Sequence, residues 1–301
     1  MFANAVSQYK TKDTIFSSNE YEEFNLQKEE ITDERGKGHK IVATAKKYGL
    51  YEMKQIFTFY DKEEYFTISL SLSSKDDIVA SNYIAPIVIL GGNIQNGQPK
   101  YTHFLEVPFD NDAWATFETK NLCQSGLSHE VGAFFTPDAK DGLIIGSLTH
   151  DTWKSAIEYK NKLAKVDELH VYSGANTPLT RDQSPHGTVK GESISSAVFF
   201  VGYYDNWKDG MNEYARINTT FTPKRPSVTD SNPIGWNSWG SIQSDLNFSN
   251  AVTTSDYIKE NFQQTWKDED NVIYINLDSY WDNLTDDELK AFVKHCEENG
   301  Q

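Results

Sequence analysis

Two short stretches near the end of the chain carry the side chains best suited to ligand binding. The first reads Pro-Ile-Gly-Trp-Asn-Ser-Trp-Gly and contains Trp236 and Trp239; the second reads Asn-Leu-Asp-Ser-Tyr-Trp and contains Asp278, Ser279 and Trp281. A carboxylate accepts hydrogen bonds from hydroxyl groups, and indole rings cover the apolar face of a ligand. These residue types predict the floor of a pocket.

Alternating strands and helices are expected to position these residues. Residues 272–277 form an almost continuous apolar run, which is typical of a strand covered on both faces in a parallel sheet. In α/β architectures the ligand binds beyond the carboxyl ends of such strands, where Asp278 stands. Between the two stretches, Thr253 and Asp256 indicate the start of a helix.

A second helix is predicted after Asp278. Thr285 and Glu288 have the spacing of a capping box, and Gly300 stands where a helix C-cap belongs. Four apolar residues fall on one face of this helix: Leu289, Phe292, Val293 and Cys296. The expected order is therefore β, α, β, α.

The first three quarters of the chain read as mainly β-structure. Residues 55–60 and 65–72 have hairpin spacing, with period-two alternation in the second arm. Further predicted strands are Ile84–Leu90, Tyr101–Val107, His129–Phe135, Leu143–Ser147, Ala156–Lys160, His170–Ser173 and Ser193–Tyr203. Many short strands separated by turns favour an antiparallel β-sandwich, here a large one.

A helix over Asp209–Asn218 precedes a proline-rich segment that is the best candidate for a domain boundary. We therefore expect a multidomain chain with a β-sandwich over 1–225 and a second domain over 226–301. The loop Val107–Trp114 is compact, polar and aromatic. It could touch substrate, although a turn stabilised by its own side chains explains it as well.

The two C-terminal stretches resemble the opening βα units of the α-galactosidase group, glycoside hydrolase families twenty-seven and thirty-six. The resemblance is carried by Gly-Trp-Asn-Ser-Trp after a proline and by a hydrophobic strand ending in Asp278 and Trp281. Ser279 stands where that pattern has a second aspartate. The resemblance implies the first two βα units of a (β/α)₈ barrel. Because such a barrel takes roughly 250 residues, we expect this chain to be the front part of a longer protein.

The resemblance also implies roles for individual residues. Asp278 would accept hydrogen bonds from a terminal sugar, Trp239 would line the sugar pocket, and Trp236 and Trp281 would support its walls. In the family, the nucleophile and the acid/base are aspartates on later strands, so no catalytic residue is assigned here. Members of the group need no cofactor, and they often form homo-oligomers through the N-terminal domain, so a homo-oligomer is one expected state.

Each of these residues also has an ordinary structural explanation. Asp278 could cap the Thr285 helix or pair with a lysine, and Trp239 could pack inside a barrel. The departure at Ser279 leaves open a related α-glycosidase with another sugar preference. A third alternative is a non-catalytic carbohydrate-binding β-sandwich, because the aromatic content of 13% suits both enzyme and binding module.

Composition limits the partners. The formal net charge of −16 argues against nucleic acid and anionic membranes, which bind basic surfaces, and leaves oligosaccharides or glycosides as compatible ligands. Cys123 and Cys296 give neither a disulfide framework nor a zinc spacing, and we expect no metal and no cofactor. We expect a soluble protein, cytoplasmic or secreted with its leader removed; the sequence does not choose between them.

Overall fold

The computed structural model describes residues 4–91, 101–109, 116–137, 141–162, 165–176, 187–221, 233–267 and 272–301. The chain divides into two compact units, Met1–Pro223 and Lys224–Gln301. Asp110–Trp114, the greater part of the polar-aromatic loop noted in the sequence, lie outside the described residues.

The first unit consists mainly of β-strands, which we number in chain order. They are β1 (Ala5–Thr11), β2 (Thr14–Ser17), β3 (Glu23–Asp33), β4 (Gly36–Lys46), β5 (Glu52–Tyr60), β6 (Tyr65–Ser73), β7 (Val79–Ser81), β8 (Tyr83–Leu90), β9 (His103–Glu106), β10 (Glu118–Asn121), β11 (Gly126–His129), β12 (Val131–Phe135), β13 (Gly142–Ser147), β14 (Ser155–Lys162), β15 (Lys165–Ser173), β16 (Val189–Gly191), β17 (Ser193–Ser195) and β18 (Phe199–Tyr204).

These strands form two large antiparallel sheets. The six-stranded sheet has the order β11-β14-β15-β8-β1-β2. The ten-stranded sheet has the order β10-β9-β12-β13-β18-β6-β5-β4-β3, and β17 pairs with β6 beside this path. β7 and β16 form a separate antiparallel pair.

The two large sheets share an apolar core. Ile87, Leu169 and Ile157 from the six-stranded sheet pack with Phe134 and Phe199 from the ten-stranded sheet in one buried cluster. Burial of apolar area of this kind is the main stabilising contribution to a fold. The first unit is therefore mostly antiparallel and sandwich-like, as the alternating pattern of the sequence predicted.

One helix, α1 (Trp207–Phe221), covers part of the outer face of the ten-stranded sheet. Its Tyr214 and Ile217 are buried in a second cluster with Ile144 of β13 and Phe200 of β18. The Tyr214 hydroxyl donates to the carbonyl of Ser147 at 2.7 Å. The helix is longer than the predicted Asp209–Asn218 at both ends, and its terminal residues Trp207 and Phe221 pack against the same cluster.

Two strands predicted as continuous are interrupted. His129–Phe135 is split into β11 and β12 at Glu130, whose φ of +63° lies in the left-handed region. Ser193–Tyr203 is split into β17 and β18, with Ser196 between them donating its hydroxyl hydrogen to the Ala197 carbonyl. Apolar periodicity does not reveal the break at Glu130, because His129 and Val131 on either side of it are both buried.

The second unit alternates strands and helices: β19 (Gly235–Asn237), α2 (Phe248–Asn261), β20 (Tyr274–Asn276) and α3 (Asp286–Asn299). β19 and β20 pair in parallel, with Trp236 opposite Ile275. The two helices share a small apolar cluster that includes Ala251, Phe292 and the buried thiol of Cys296. Within the described ranges, no helix has the length and apolar character needed to cross a bilayer.

The helix ends follow local capping chemistry. Thr285 and Glu288 form the predicted capping box of α3, and Gly300 ends that helix with a φ of +74°. The predicted start of α2 at Thr253 is wrong: α2 begins at Phe248, where Asn247 and Asn250 form a reciprocal cap. Asparagine and threonine are both good N-cap residues, because each side chain can accept a hydrogen bond from a free backbone N–H group. The sequence therefore offered two possible starts for this helix, at Asn247 and at Thr253.

Two details of burial also differ from expectation. The run at 272–277 is not covered on both faces in the described structure, since Tyr274 is 46% exposed. Val293, predicted for the buried face of α3, is 57% exposed.

Candidate substrate-binding site

The candidate site is built at the carboxyl ends of the parallel strands β19 and β20. Gly235 lies so close to the neighbouring strand that an added Cβ would stand 2.1 Å from the Tyr274 carbonyl oxygen. The Tyr274 N–H donates to the Ile234 carbonyl at 2.9 Å. A glycine at this position therefore permits the close pairing that aligns the two strand ends.

A direct side-chain hydrogen bond joins the two strand ends. Nδ2 of Asn237 donates to Oδ2 of Asp278 at 2.8 Å. Ser238, which is fully buried, accepts a hydrogen bond on Oγ from the Asp278 backbone N–H at 2.9 Å. These two contacts hold the carboxylate of Asp278 beside the end of β19.

The same asparagine also positions Trp239. Oδ1 of Asn237 accepts from the Trp239 N–H at 2.8 Å and starts a short 3-10 turn. The Trp239 indole is 46% exposed and stacks on Tyr280, with ring centroids 6.1 Å apart and an interplanar angle of 7°. Asn237 thus links an exposed aromatic surface to a carboxylate.

The environment of Asp278 favours its ionised form. Hydrogen bonds from the Asn237 side chain and, next, from the Ser279 backbone lower the pKa of this carboxyl below its ordinary value. The Ser279 N–H donates to Oδ1 of Asp278 at 2.7 Å. A carboxylate held in this way is an acceptor and not a proton donor at neutral pH.

The two other predicted tryptophans occupy different places. Trp236 lines a separate cavity of about 610 Å³ on the α2 side, with Tyr257, Phe262 and Trp266 among its walls. Alternation along a strand explains the separation, because successive side chains point to opposite faces. Trp281 is 52% exposed in the turn after Asp278. The structure thus brings together Trp239, Asp278 and Ser279, and it places Trp236 elsewhere.

Sequence reasoning missed two contributions. It did not foresee that the Asn237 side-chain amide donates to Asp278. It also passed over Tyr280, whose φ of +70° turns the chain so that its ring meets Trp239. The sequence did contain a signal for the first contact: Asn237 ends one predicted strand and Asp278 follows the next, so their side chains could be expected to meet.

Among the described residues, no group of three or more His, Cys, Asp or Glu side chains is arranged to hold a metal ion. The hydrogen-bonded group at the strand ends contains a single carboxylate, that of Asp278. That carboxylate can accept hydrogen bonds from hydroxyl or other donor groups beside the stacked rings of Trp239 and Tyr280.

No family model matches the chain, and no curated protein matches its sequence. Among solved structures, it is similar to the GH36 α-galactosidase AgaA from Geobacillus stearothermophilus in complex with 1-deoxygalactonojirimycin. That match has 13% identity and a TM-score of 0.56, and it covers 99% of this chain and 44% of the other. Another structure of the same enzyme holds stachyose.

Two further structures match in the same way. A β-arabinopyranosidase matches with 11% identity and a TM-score of 0.55, over 92% of this chain and 46% of the other. The galactosidase domain of an α-galactosidase-sucrose kinase matches with 9% identity and a TM-score of 0.52, over 80% and 35%. The chain therefore has an α-galactosidase-like fold, and it spans less than half the length of these glycosidases.

Proposed function

We propose that this chain is part of a retaining α-glycosidase, most like an α-galactosidase, that removes terminal α-linked sugars from oligo- or polysaccharides. Residues 1–225 would be its N-terminal β-sandwich domain and residues 226–301 the start of a (β/α)₈ catalytic barrel. The observation that carries the proposal is the Asn237–Asp278 hydrogen bond at the ends of two parallel strands. The likeness in fold to GH36 α-galactosidase supports it.

In this proposal Asp278 holds the sugar. Its carboxylate accepts hydrogen bonds from sugar hydroxyls, and such charge-assisted bonds are stronger than neutral ones. The lowered pKa keeps the group ionised at neutral pH, so Asp278 is a binding residue and not the general acid. Trp239, supported by Tyr280, offers an apolar surface to the C–H face of the sugar ring.

The remaining predicted residues take secondary roles. Ser279 is exposed and could donate or accept one further hydrogen bond, and Trp281 would border the site. Trp236 would stabilise the barrel wall against α2, because it lines the cavity on that side.

The chemical step needs groups that the Asp278 site does not supply. A retaining glycosidase uses two carboxyl groups about 5–5.5 Å apart, one as nucleophile and one as acid/base. We place these on later barrel strands. The nucleophile would form a covalent glycosyl-enzyme, and water would then hydrolyse it in a double displacement without a cofactor.

The test compares the 301-residue chain with the longer protein encoded by its natural reading frame. Hydrolysis of 4-nitrophenyl α-galactopyranoside should be absent for the 301-residue chain and present for the longer protein. In the longer protein, Asp278→Asn should lower kcat/KM about 10- to 100-fold, because a charged acceptor for the sugar is lost.

Asp282→Asn is the matched control, because Asp282 is exposed in the next turn. It should leave kcat/KM within about twofold, as is usual for surface changes. Hydrolysis by the 301-residue chain alone, or equal effects of the two substitutions, would overturn the proposal.

A second candidate is an α-glycosidase with another sugar preference, which the serine at position 279 favours. Comparing galactosides, glucosides and N-acetylgalactosaminides with the Ser279→Asp variant of the longer protein separates the two candidates. A gain confined to galactosides would indicate that the natural serine relaxes galactose selectivity.

A further inference from the structure

A cavity of about 420 Å³ opens on the outer face of the six-stranded sheet, in the first unit. Leu169 and Val171 of β15 are fully buried in the core between the sheets. The alternate residues His170 and Tyr172 therefore point to the opposite face, where they line the cavity. The volume falls within the range typical of small-ligand sites.

Four strands contribute side chains to this cavity in a fixed register. Glu158 of β14 is paired with His170 of β15, and Lys10 of β1 is paired with Tyr83 of β8. All four residues line the cavity. Side chains on rigid sheet strands hold a binding geometry better than side chains on loops.

Contacts around the cavity fix its walls. The Tyr83 hydroxyl lies 3.2 Å from Nδ1 of His170, and the rings of Tyr83 and Tyr172 are 5.1 Å apart. Gly174 has a φ of +98°, and an added Cβ would stand 2.1 Å from the Asn82 carbonyl oxygen. Only glycine allows the chain after β15 to approach Asn82 this closely.

The polar groups in the cavity are of mixed type. The Glu158 carboxylate and the Lys10 ammonium both line the cavity, and their opposite charges give it no strong net sign. Burial lowers the pKa of His170, which therefore stays neutral at neutral pH. Asn82 and Asn176 add amide groups that both donate and accept.

We propose that this cavity is a binding site for a neutral saccharide, separate from the strand-end site of the second unit. Each sugar hydroxyl both donates and accepts, so it needs acceptors such as Glu158 together with donors such as Lys10 and the asparagine amides. Tyr83 supplies an aromatic ring on which the C–H groups of the sugar can pack. The site would hold glycan without reacting with it, and it does not depend on the function proposed above.

The test titrates methyl α-galactopyranoside and methyl α-glucopyranoside into the 301-residue chain while backbone amide signals are followed by NMR. Binding should shift amide signals of β14 and β15, and Glu158→Gln should weaken this binding about tenfold, because a charged acceptor becomes a neutral one. Asp278→Asn should leave these shifts unchanged, so failure here is distinguishable from failure of the strand-end site.

Glu118→Gln, on the exposed edge strand β10, is the control and should bind as the unaltered chain does. Three outcomes would overturn the inference: no shift of β14 and β15 amides at the highest soluble sugar concentration, equal affinity in Glu158→Gln, or tighter binding of inorganic phosphate at the same amides. Thermal unfolding of each variant verifies that it is folded.

Discussion

Strands β13 and β20 differ in how completely the rest of their own unit buries them. All six residues of β13 are buried, with Leu143 and Ile145 in the core between the sheets and Ile144 beneath α1. In β20 the first and last residues are exposed and Ile275 between them is half-buried. The described residues of the first unit cover both faces of β13, whereas those of the second unit leave β20 partly exposed.

The difference bears on function. The fully covered strand stabilises the sandwich but offers a ligand no side chain. The parallel pair stays open at its carboxyl ends, where Asn237, Asp278 and Trp239 are linked and accessible. Loosely covered strands thus carry the candidate site, which agrees with the tendency of functional elements to be less stable than the core.

The largest effect is expected from opening the core of the first unit. Phe134 is fully buried against Phe104 and Tyr159, so Phe134→Ala should lower the free energy of unfolding by about 3–5 kcal/mol. Ile275→Ala, in the half-buried strand, should cost about 1 kcal/mol. Native-state hydrogen exchange, read separately on the amides of β12 and β20, measures both losses.

The milder substitution Phe134→Leu serves if Phe134→Ala does not fold. It should cost less than Phe134→Ala and still more than Ile275→Ala. If the Phe134 and Ile275 variants lost equal protection from hydrogen exchange, the contrast between a covered and an open strand would be wrong.

A smaller effect is expected at a helix cap in the second unit. Thr285 caps α3 by accepting from the Glu288 N–H, so Thr285→Ala should destabilise the unit by about 1 kcal/mol. The matched control is Thr253→Ala, because Thr253 lies inside α2 and its hydroxyl donates only to the Ser249 carbonyl. Urea unfolding should show little change for Thr253→Ala. A larger loss for Thr253→Ala than for Thr285→Ala would contradict the stabilising role of the Thr285 cap.

Secondary structure was predicted most accurately where buried residues recur with the period of the element that contains them. The β5–β6 hairpin pairs as expected, with Phe59 opposite Phe66, because apolar alternation sets the register. The long strands β3 and β4 were not foreseen. β3 is an edge strand whose residues are nearly all exposed, so its charged sequence carries no apolar period.

The sequence predicted where the candidate site lies, but not the hydrogen bonds and ring contacts that join its residues. The motifs placed Trp239 and Asp278 at the ends of adjacent parallel strands, and the structure links them through Asn237. They could not show that Trp236 faces the α2 side or that Tyr280 turns beneath Trp239. Both facts depend on side-chain direction and on a left-handed backbone, which residue spacing does not encode.

The smallest and most local effect concerns the ionisation of Asp278. The Asn237 amide is the largest cause of its lowered pKa, so Asn237→Ala should raise the pKa toward the ordinary aspartate value. Ser279→Ala keeps the backbone N–H that donates to Asp278 and should raise the pKa less. The ¹³C carboxyl shift of Asp278, followed by NMR while the pH is lowered, measures both changes.

The sign of the pH effect follows from the lowered pKa. A carboxyl with a depressed folded-state pKa contributes stability that is present above its unfolded pKa and is lost as the pH falls through the folded value. The second unit of Asn237→Ala should therefore lose less stability on acidification than that of the unaltered chain. A larger pKa change in Ser279→Ala than in Asn237→Ala would mean that the Ser279 hydroxyl, and not the link between the strands, keeps Asp278 ionised.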